Sequence, residues 1–492
     1  MKSTLLILTL SLASCGHAPV HREANFAVPL LPAPRAVDLG TIDRFVLPNG
    51  LRVIAVPRHG VPTIDIALTI QVGQDSDPIG FAGLAQHTAA LLRKGTQHYT
   101  ADQFAEAIDF VGGDFDSAVS DDHTTLSCHV RADDFGLCLE LISEAAAHPT
   151  FPESELPEGI DQLRAALEGA RDHLSALAAE HAANLYFGDD DPRGRPLSRQ
   201  SIATLEAGGR NLLVEFHRRW YAPSNALITV SGDFASDLLR AQLEQHFGSW
   251  LPREVPVRPR QALPPQHPFA VRIVDKPDAT QTAILLVGPG IAHTDRDFFA
   301  VRLANYVLGG GSFSSRLMQV VRSEGGKTYG VRSSFEAGRD PGTFQVTTST
   351  RTAETAATLR LIREELAKLH ESGPTAEELL AAQGHIAGGY GLHLETGSDV
   401  AHALVNAELD GLDDRFVAEY PVRVARVTLA EAATAARTHF RSTALVLVGR
   451  AAEIRPQLLQ AGYTASEVVT YTDPVSPAER AAEKVAPKSV QK

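Results

Sequence analysis

The sequence predicts an α+β protein made of two similarly built domains, each an antiparallel-rich sheet with helices packed on one face. Three observations carry that prediction. The chain has 492 residues, enough for two or more domains of roughly 100–200 residues, each with its own core. Segments with strand and helix patterns run in one order, stop at a stretch rich in Pro, Arg and Gln at 251–268, and then recur in the same order. The repeat of about 210 residues is far longer than that of a solenoid, so it reads as duplicated domains at 39–250 and 269–472.

The elements follow from local pattern. Residues 45–54 read strand, turn, strand, because Asn49-Gly50 supplies the backbone of a tight hairpin. Apolar and polar residues alternate over 63–72 as in a half-buried strand. Thr100-Ala-Asp-Gln103 is a capping box that opens a helix over 104–111, which stops at Gly112-Gly113. A strand at 124–130, a helix at 134–147, one long helix over 156–186 and a strand at 225–231 complete the first domain. After the linker come strands at 270–274 and 281–287, helices at 298–308 and 315–322, a strand at 344–349 and a helix at 352–372. Thr375-Ala-Glu-Glu378 caps another long helix reaching residue 394, and the strand at 444–449 echoes the one that ended the first domain. Residues 473–492 lack apolar periodicity and read as a flexible tail.

Composition excludes some functions. With 45 Lys+Arg against 59 Asp+Glu the net charge is -14, opposite to what phosphate neutralisation needs, so nucleic acid is not an expected partner. Three cysteines make neither a disulfide framework nor a C-x-x-C centre. Two of them, Cys128 and Cys138, read as independently buried thiols, although an oxidising compartment would permit a bond. The third, Cys15, follows Lys2, a leucine-rich run and Leu12-Ala13-Ser14. A basic residue, a short apolar run and small residues form a secretory signal over 1–14, and the run is too short to span a bilayer. Leu-Ala-Ser-Cys resembles the bacterial lipoprotein box. That resemblance implies lipidation of Cys15, and Gly16 after it implies the outer membrane facing the periplasm. Residues 15–38 are Pro- and Ala-rich without periodicity and read as a tether.

Seven stretches then align in order with one family. They are Leu47-Pro-Asn-Gly-Leu-Arg-Val-Ile54, Gly83-Leu-Ala85, Lys94-Gly-Thr96, Phe216-His-Arg-Arg-Trp-Tyr-Ala-Pro-Ser-Asn225, Ser231-Gly-Asp-Phe234, Leu308-Gly-Gly-Gly311 and Ser314-Ser-Arg-Leu317. With the duplication, they resemble the insulinase/pitrilysin family of inverted-zincin metallopeptidases, in its processing-peptidase-like branch, over residues 40–472. The resemblance implies two α/β-sandwich domains like those of the mitochondrial processing peptidase.

In that family, H-x-x-E-H on a helix supplies two zinc ligands and a general base, and a Glu further along completes the site. Here Gly83-Leu-Ala-Gln86-His-Thr-Ala89-Ala90 places Gln86 and Ala90 at the histidine positions and Ala89 at the base. The third ligand position falls near Gly169, beside Glu168. The resemblance therefore implies no metal in this chain, and zinc in a partner subunit instead. His87, His123, His173 and His181 are the rescue candidates for a different metal site, but none forms an i, i+4 pair with another.

The second domain keeps another constellation: Leu308-Gly-Gly-Gly-Ser-Phe-Ser-Ser-Arg-Leu317, then Arg322-Ser-Glu-Gly-Gly-Lys-Thr-Tyr329. In two-chain members of the family the metal-free chain supplies an Arg and a Tyr here, and Arg322 and Tyr329 match them. A guanidinium and a phenol stabilise the oxyanion that forms in peptide hydrolysis. Gly309, Gly310, Gly311 and Ser312 correspond to a mobile, substrate-facing loop. No Gly-Lys-Ser/Thr follows at P-loop spacing, which excludes a phosphate cradle. Arg316 reads as a loop anchor. The resulting expectation is the non-zinc subunit of a heterodimeric periplasmic zinc metalloendopeptidase. It would act on peptides or unfolded polypeptides beside a paralogous H-x-x-E-H chain. The alternatives are a catalytically inactive peptide-binding or scaffold protein of the cell envelope, and an autonomous metalloprotease with unusual ligands.

Overall fold

Two six-stranded sheets form the body of the protein, a computed structural model that describes residues 33–265 and 268–485. The segment read as a secretory signal, Cys15 and most of the residues read as a tether lie outside the described residues. The first half runs β1 (Asp43–Val46), β2 (Arg52–Pro57), β3 (Thr63–Ile70), α1 (Leu84–Leu91), α2 (Ala101–Phe110), β4 (Asp114–Val119) and β5 (Thr124–Arg131). It continues through α3 (Phe135–Ala147), α4 (Leu156–Asp172), α5 (Leu174–Phe187), α6 (Arg199–Trp220), β6 (Ala226–Gly232) and α7 (Ser236–Phe247). The second half runs β7 (Ala270–Asp275), β8 (Gln281–Pro289), α8 (Phe298–Asn305), β9 (Val331–Ala337), β10 (Pro341–Arg351), α9 (Thr355–Ser372) and α10 (Ala376–Gly389). Then follow α11 (Gly397–Leu409), α12 (Asp414–Ala418), α13 (Tyr420–Arg426), α14 (Leu429–His439), β11 (Ala444–Gly449), α15 (Ala451–Gln460), β12 (Glu467–Thr470) and α16 (Pro477–Val485).

The sheet orders, β1-β2-β6-β3-β5-β4 and β12-β7-β11-β8-β10-β9, share one five-strand core. In each half the first core strand pairs in parallel with the last, and the remaining core pairs are antiparallel. The halves differ at one edge. There β1 precedes its neighbour and runs antiparallel to it, whereas β12 arrives from the C-terminal end and runs parallel.

Each sheet packs its own helices on one face, as predicted, and takes one helix of the other half on the opposite face. Leu177, Ala178 and Ala182 of α5 bury against Ala283, Leu285, Val446 and Val448 of the second sheet. Reciprocally, Val400, Ala401 and Leu404 of α11 bury against Ile54, Val56 and Leu227 of the first. Central strands covered on both faces need apolar residues at consecutive positions, which is why β11 reads Ala-Leu-Val-Leu-Val-Gly, all buried. Burial of each large aliphatic side chain contributes about 1.5–3 kcal/mol, so this exchange is a substantial clasp. The described residues from 34 onward accordingly form one unit.

The exchange explains the break in the long helix expected over 156–186. It divides at His173, whose backbone is extended (φ -105, ψ 110). α4 lays Ile160, Leu163 and Leu167 on the first core, while α5 must reach the second sheet. The helix expected to reach residue 394 ends at Gly389 and passes into a 3₁₀ turn over Tyr390–Leu394.

Two further expectations are corrected. Cys128 on β5 and Cys138 on α3 form a disulfide, with Cα atoms 6.0 Å apart. The chain folds back so that α3 covers β5, which brings the two positions face to face in the first core. The tail read as flexible carries α16, anchored by polar contacts that no hydropathy pattern reveals. Asp189 accepts from Ser476 Oγ (2.9 Å) and from the Ala478 N–H (3.1 Å), Ser198 Oγ donates to Glu479, and Arg480 pairs with Glu467. The described residues of the linker have no regular structure but are strapped to both halves. Arg258 donates to the Asp122 carbonyl (2.9 Å), and Arg339 donates to the Arg258 carbonyl (2.7 Å). Among the described residues no helix is long and apolar enough to cross a membrane.

Candidate functional site

The helix that would carry H-x-x-E-H is present and well held. Asp77 caps α1, its two carboxylate oxygens accepting from the Gly83 and Ala85 N–H groups at 2.8 and 2.9 Å. Burial pushes that carboxyl up to about 7 even though these backbone donors favour the anion. Lys94 of Lys-Gly-Thr reaches across to Glu158 of α4 at 2.8 Å. Gln86 and Ala90 share the half-exposed face of α1, whereas Ala89 is buried.

That face does not fit zinc. An amide stands at one ligand position, methyl groups stand at the other and at the base, and one histidine cannot replace them. His87 points the other way, 3% exposed, with its Nδ1 unpartnered. Burial pushes its imidazole down to about 4, so it is neutral at physiological pH. It packs on Gly159 of α4, where an added Cβ would stand 2.5 Å from Nδ1. The α4 surface that meets α1 is thus at Gly159 and Leu163. Gly169 lies further along the helix, exposed, with no atom within 4 Å of where its Cβ would be. Glu168 is exposed as well and is paired to Arg199 and Arg171, which lower its pKa.

The rescue histidines do not converge. His123 sits in the β4–β5 turn beside Asp122 and Ser120, and His173 is the α4–α5 break. His181 is fully buried beside Arg272, burial and that cation pushing it down to about 3. Among the described residues, the one trio with ligand atoms within 4.8 Å of one another is Asp295, Asp297 and His439. Those groups are already engaged at the start of α8, where Asp297 pairs with His439 (3.1 Å) and Asp295 accepts the Asp297 N–H (2.8 Å).

The second-half constellation is built differently. After α8 the chain widens into a π-turn over Tyr306–Gly310, closed by the Gly311 N–H on the Tyr306 carbonyl (2.8 Å). The three glycines are required by close approach: an added Cβ at Gly309 would stand 2.5 Å from Ser333 N, and those at Gly310 and Gly311 would meet Asn305 and Tyr306 below 3 Å. Gly309 and Gly311 are therefore buried, while Gly310 and the tip Ser312–Ser314 are exposed. The loop expected to be mobile is closed on itself. Ser315 Oγ donates to the Ser312 carbonyl (2.7 Å) and Ser314 Oγ to the Gly311 carbonyl (2.8 Å). Arg316 anchors it through a bidentate pair with Glu378 (2.6 and 2.7 Å) and a bond to the Gly373 carbonyl.

Arg322 lies on a second π-turn, Met318–Glu324, with its guanidinium 4.5 Å from the centroid of Phe313. Tyr329 is 91% exposed, while the neighbouring Thr328 and Gly330 are hydrogen-bonded to Thr348. π-Turns are rare and concentrate at functional positions. Sequence reasoning passed over Phe313; its signal was a lone aromatic in a Gly/Ser loop. Also unforeseen was a cleft of about 980 Å³ between the halves, reached by Gln86 and lined by Asp75, Asp121 and Glu336. Burial, with Asp121 opposite, pushes the Asp75 carboxyl up to about 7. Neither Arg322, Tyr329 nor the glycine loop lines that cleft. The structure does not bring the two constellations together within the chain.

Comparison with known proteins assigns the family. Residues 52–194 match the family model "Insulinase (Peptidase family M16)", and residues 209–384 match "Peptidase M16 inactive domain". An uncharacterized zinc protease of Mycobacterium leprae is 30% identical over 388 residues, 76% of this chain and 84% of that protein. The crystal structure of a peptidase M16 inactive domain from Pseudomonas fluorescens superposes with a TM-score of 0.77 at 25% identity, covering 83% of this chain and 98% of that one. The periplasmic protease PqqL of Escherichia coli shares the fold, with a TM-score of 0.70 at 15% identity over 90% of this chain and 48% of PqqL. With two matched domains, a duplicated sheet topology and an α1 that holds neither ligands nor base, the chain belongs to the insulinase family of metallopeptidases, peptidase family M16, in its inactive-subunit branch.

Proposed function

We propose that this chain is the non-zinc subunit of a heterodimeric zinc metalloendopeptidase. It presents Arg322, Tyr329 and the Gly309–Gly311/Ser312 loop to a partner chain carrying H-x-x-E-H and the zinc. The observation that carries this reading is the contrast between the two constellations. The ligand face of α1 holds Gln86 and Ala90, while a half-buried arginine and an exposed tyrosine with the family's spacing stand away from the chain's own cleft. The fold supports the same arrangement, because this chain accounts for about half of PqqL's length and a second chain of like size would complete such a body.

In the complex, Arg322 N–H groups and the Tyr329 O–H donate to the oxygen of the scissile carbonyl as it gains negative charge. Donors of this kind contribute about 10²–10³-fold to turnover. The proposed location is the bacterial envelope, with the chain lipid-anchored through Cys15 and facing the periplasm. The Cys128–Cys138 disulfide supports an oxidising compartment.

The test is Arg322→Ala in the complex recovered from native envelope, assayed on fluorescein-labelled casein. The proposal expects a fall of about 10²-fold or more with subunit association intact. Unchanged turnover removes Arg322 from the chemistry. No cleavage by the wild-type complex, with peptide binding retained, favours the scaffold alternative.

A further inference from the structure

Arg316 and Arg322 sit six positions apart and are held in opposite ways. Arg316 is committed: both arms of its guanidinium are occupied by Glu378, and a carbonyl takes a further donor. Among the described residues, no carboxylate or carbonyl accepts from the Arg322 side chain, and the centroid of the Phe313 ring lies 4.5 Å from its guanidinium. An aromatic face attracts a guanidinium through the ring quadrupole and restricts its direction. It leaves the charge in place, and the five N–H donors of the guanidinium meet no oxygen acceptor among the described residues. A carboxylate in the same place would have fixed the arginine too, but it would have neutralised the charge and filled the donors.

Phe313 itself is displayed at a cost. It stands 65% exposed at the loop tip, directly after Ser312, whose φ of +51° is unusual for a residue with a side chain. The hydroxyl turns at Ser314 and Ser315, with the Arg316–Glu378 anchor, hold that backbone in place. An exposed phenylalanine next to a strained serine lies outside this chain's core, so packing does not account for it.

We infer that Phe313 is a positioning residue for Arg322: its ring aims the guanidinium while leaving every donor free for a substrate oxygen. The inference rests on the proposed role of Arg322 and deepens it, since it assigns the organisation of that arginine to the glycine loop. The loop is then the support of the charged group as well as a surface for the substrate chain.

Two readouts test it. In the isolated chain, the Arg322 Nε–H resonance, identified by its loss in Arg322→Lys, should lie upfield from the ring current. Phe313→Leu should abolish that displacement, and Phe313→Trp should restore it. In the native complex acting on fluorescein-labelled casein, Phe313→Leu should lower kcat about tenfold with KM within about twofold of wild type, and Phe313→Trp should recover most of the loss. An Arg322 resonance indifferent to Phe313→Leu overturns the inference. So does a displacement that vanishes with kcat unchanged, or a loss that appears in KM alone. A wild-type complex without cleavage is a separate failure: it overturns the split-peptidase reading and the kinetic role of Phe313 with it, even where the resonance confirms the contact.

Discussion

The two halves use the same five-strand core for opposite ends. In the first, the helix after the third strand keeps its inner face, with Leu84, Ala85, His87 and Leu91 packed into the core, and carries no ligand on its outer face. In the second, the corresponding region after β8 is interrupted twice by π-turns and offers Phe313 and Tyr329 to solvent, with Arg322 half-buried beside the Phe313 ring. The comparison separates what the fold requires from what chemistry requires. Changing the half-exposed positions 86 and 90 leaves the packing of α1 untouched, so the architecture tolerates an empty site. The second-half loop has no such freedom, because close backbone approach and strain are built into it, and these persist only where surrounding contacts enforce them.

The largest expected effect falls on that loop. Gly309→Leu drives a side chain into Ser333 and Leu317. It should destabilise the chain by about 3 kcal/mol or more, read from denaturant unfolding, as overpacking that the backbone must absorb. The control is Gly169→Ala, at the position where the family's third ligand was expected. With open space around it, this change should leave stability equal or raise it by roughly 0.5–1 kcal/mol through helix propensity. A destabilising Gly169→Ala would mean that α4 meets a neighbour there and that its register against α1 is wrong. Next in size is Tyr329→Phe, which removes one O–H and should lower turnover of the complex by about tenfold or more with unfolding unchanged, because the side chain is exposed.

Gly159→Ala should cost about 1–3 kcal/mol, because its methyl meets the His87 ring. Smaller still is a pH effect. Asp75 has its folded pKa raised from the ordinary carboxylate value of 3.8 to about 7 by burial and the facing Asp121, with Arg258 and Arg193 acting in the opposite direction. The sign is that of a group whose proton is held more tightly in the folded state. Its penalty is absent below pH 3.8, grows as pH rises, and is complete above about 7. Asp75→Asn should therefore raise the melting temperature at pH 8 more than at pH 4. An equal shift at both values would remove the titration from the account.

Much of this was legible in the sequence. The capping boxes at Thr100/Gln103 and Thr375/Glu378 form as read. Strands β3, β5, β6, β8 and β11 stand where apolar pattern placed them, since they are the buried core strands. The edge strands β4 and β9 escaped, because Asp-Phe-Asp-Ser-Ala-Val and Val-Arg-Ser-Ser-Phe-Glu-Ala carry few of the β-branched and aromatic residues that mark a strand. The break at His173 and the crossing of α5 and α11 were not readable, since both answer to the other half of the molecule rather than to local propensity. The tail helix is held by Asp189 and Glu467, partners more than ten positions away in the chain, which no local pattern contains. At the site, the replacement of ligands and base at positions 86, 89 and 90 followed from the family resemblance, anchored on Gly83-Leu-Ala85 and Lys94-Gly-Thr96. The ring beneath Arg322 did not, because a π-turn brings Phe313 and Arg322 together at a spacing that no helix template suggests.

The central claim is that one half-site here needs another chain to complete it. Its most direct test is to tag the C-terminus, solubilise native envelope gently, and identify by mass spectrometry what is recovered with the protein. The account predicts a relative carrying H-x-x-E-H, recovered in near-equal amount, together with zinc at about one equivalent per pair. Recovery of this chain alone, or with unrelated envelope proteins only, would contradict it.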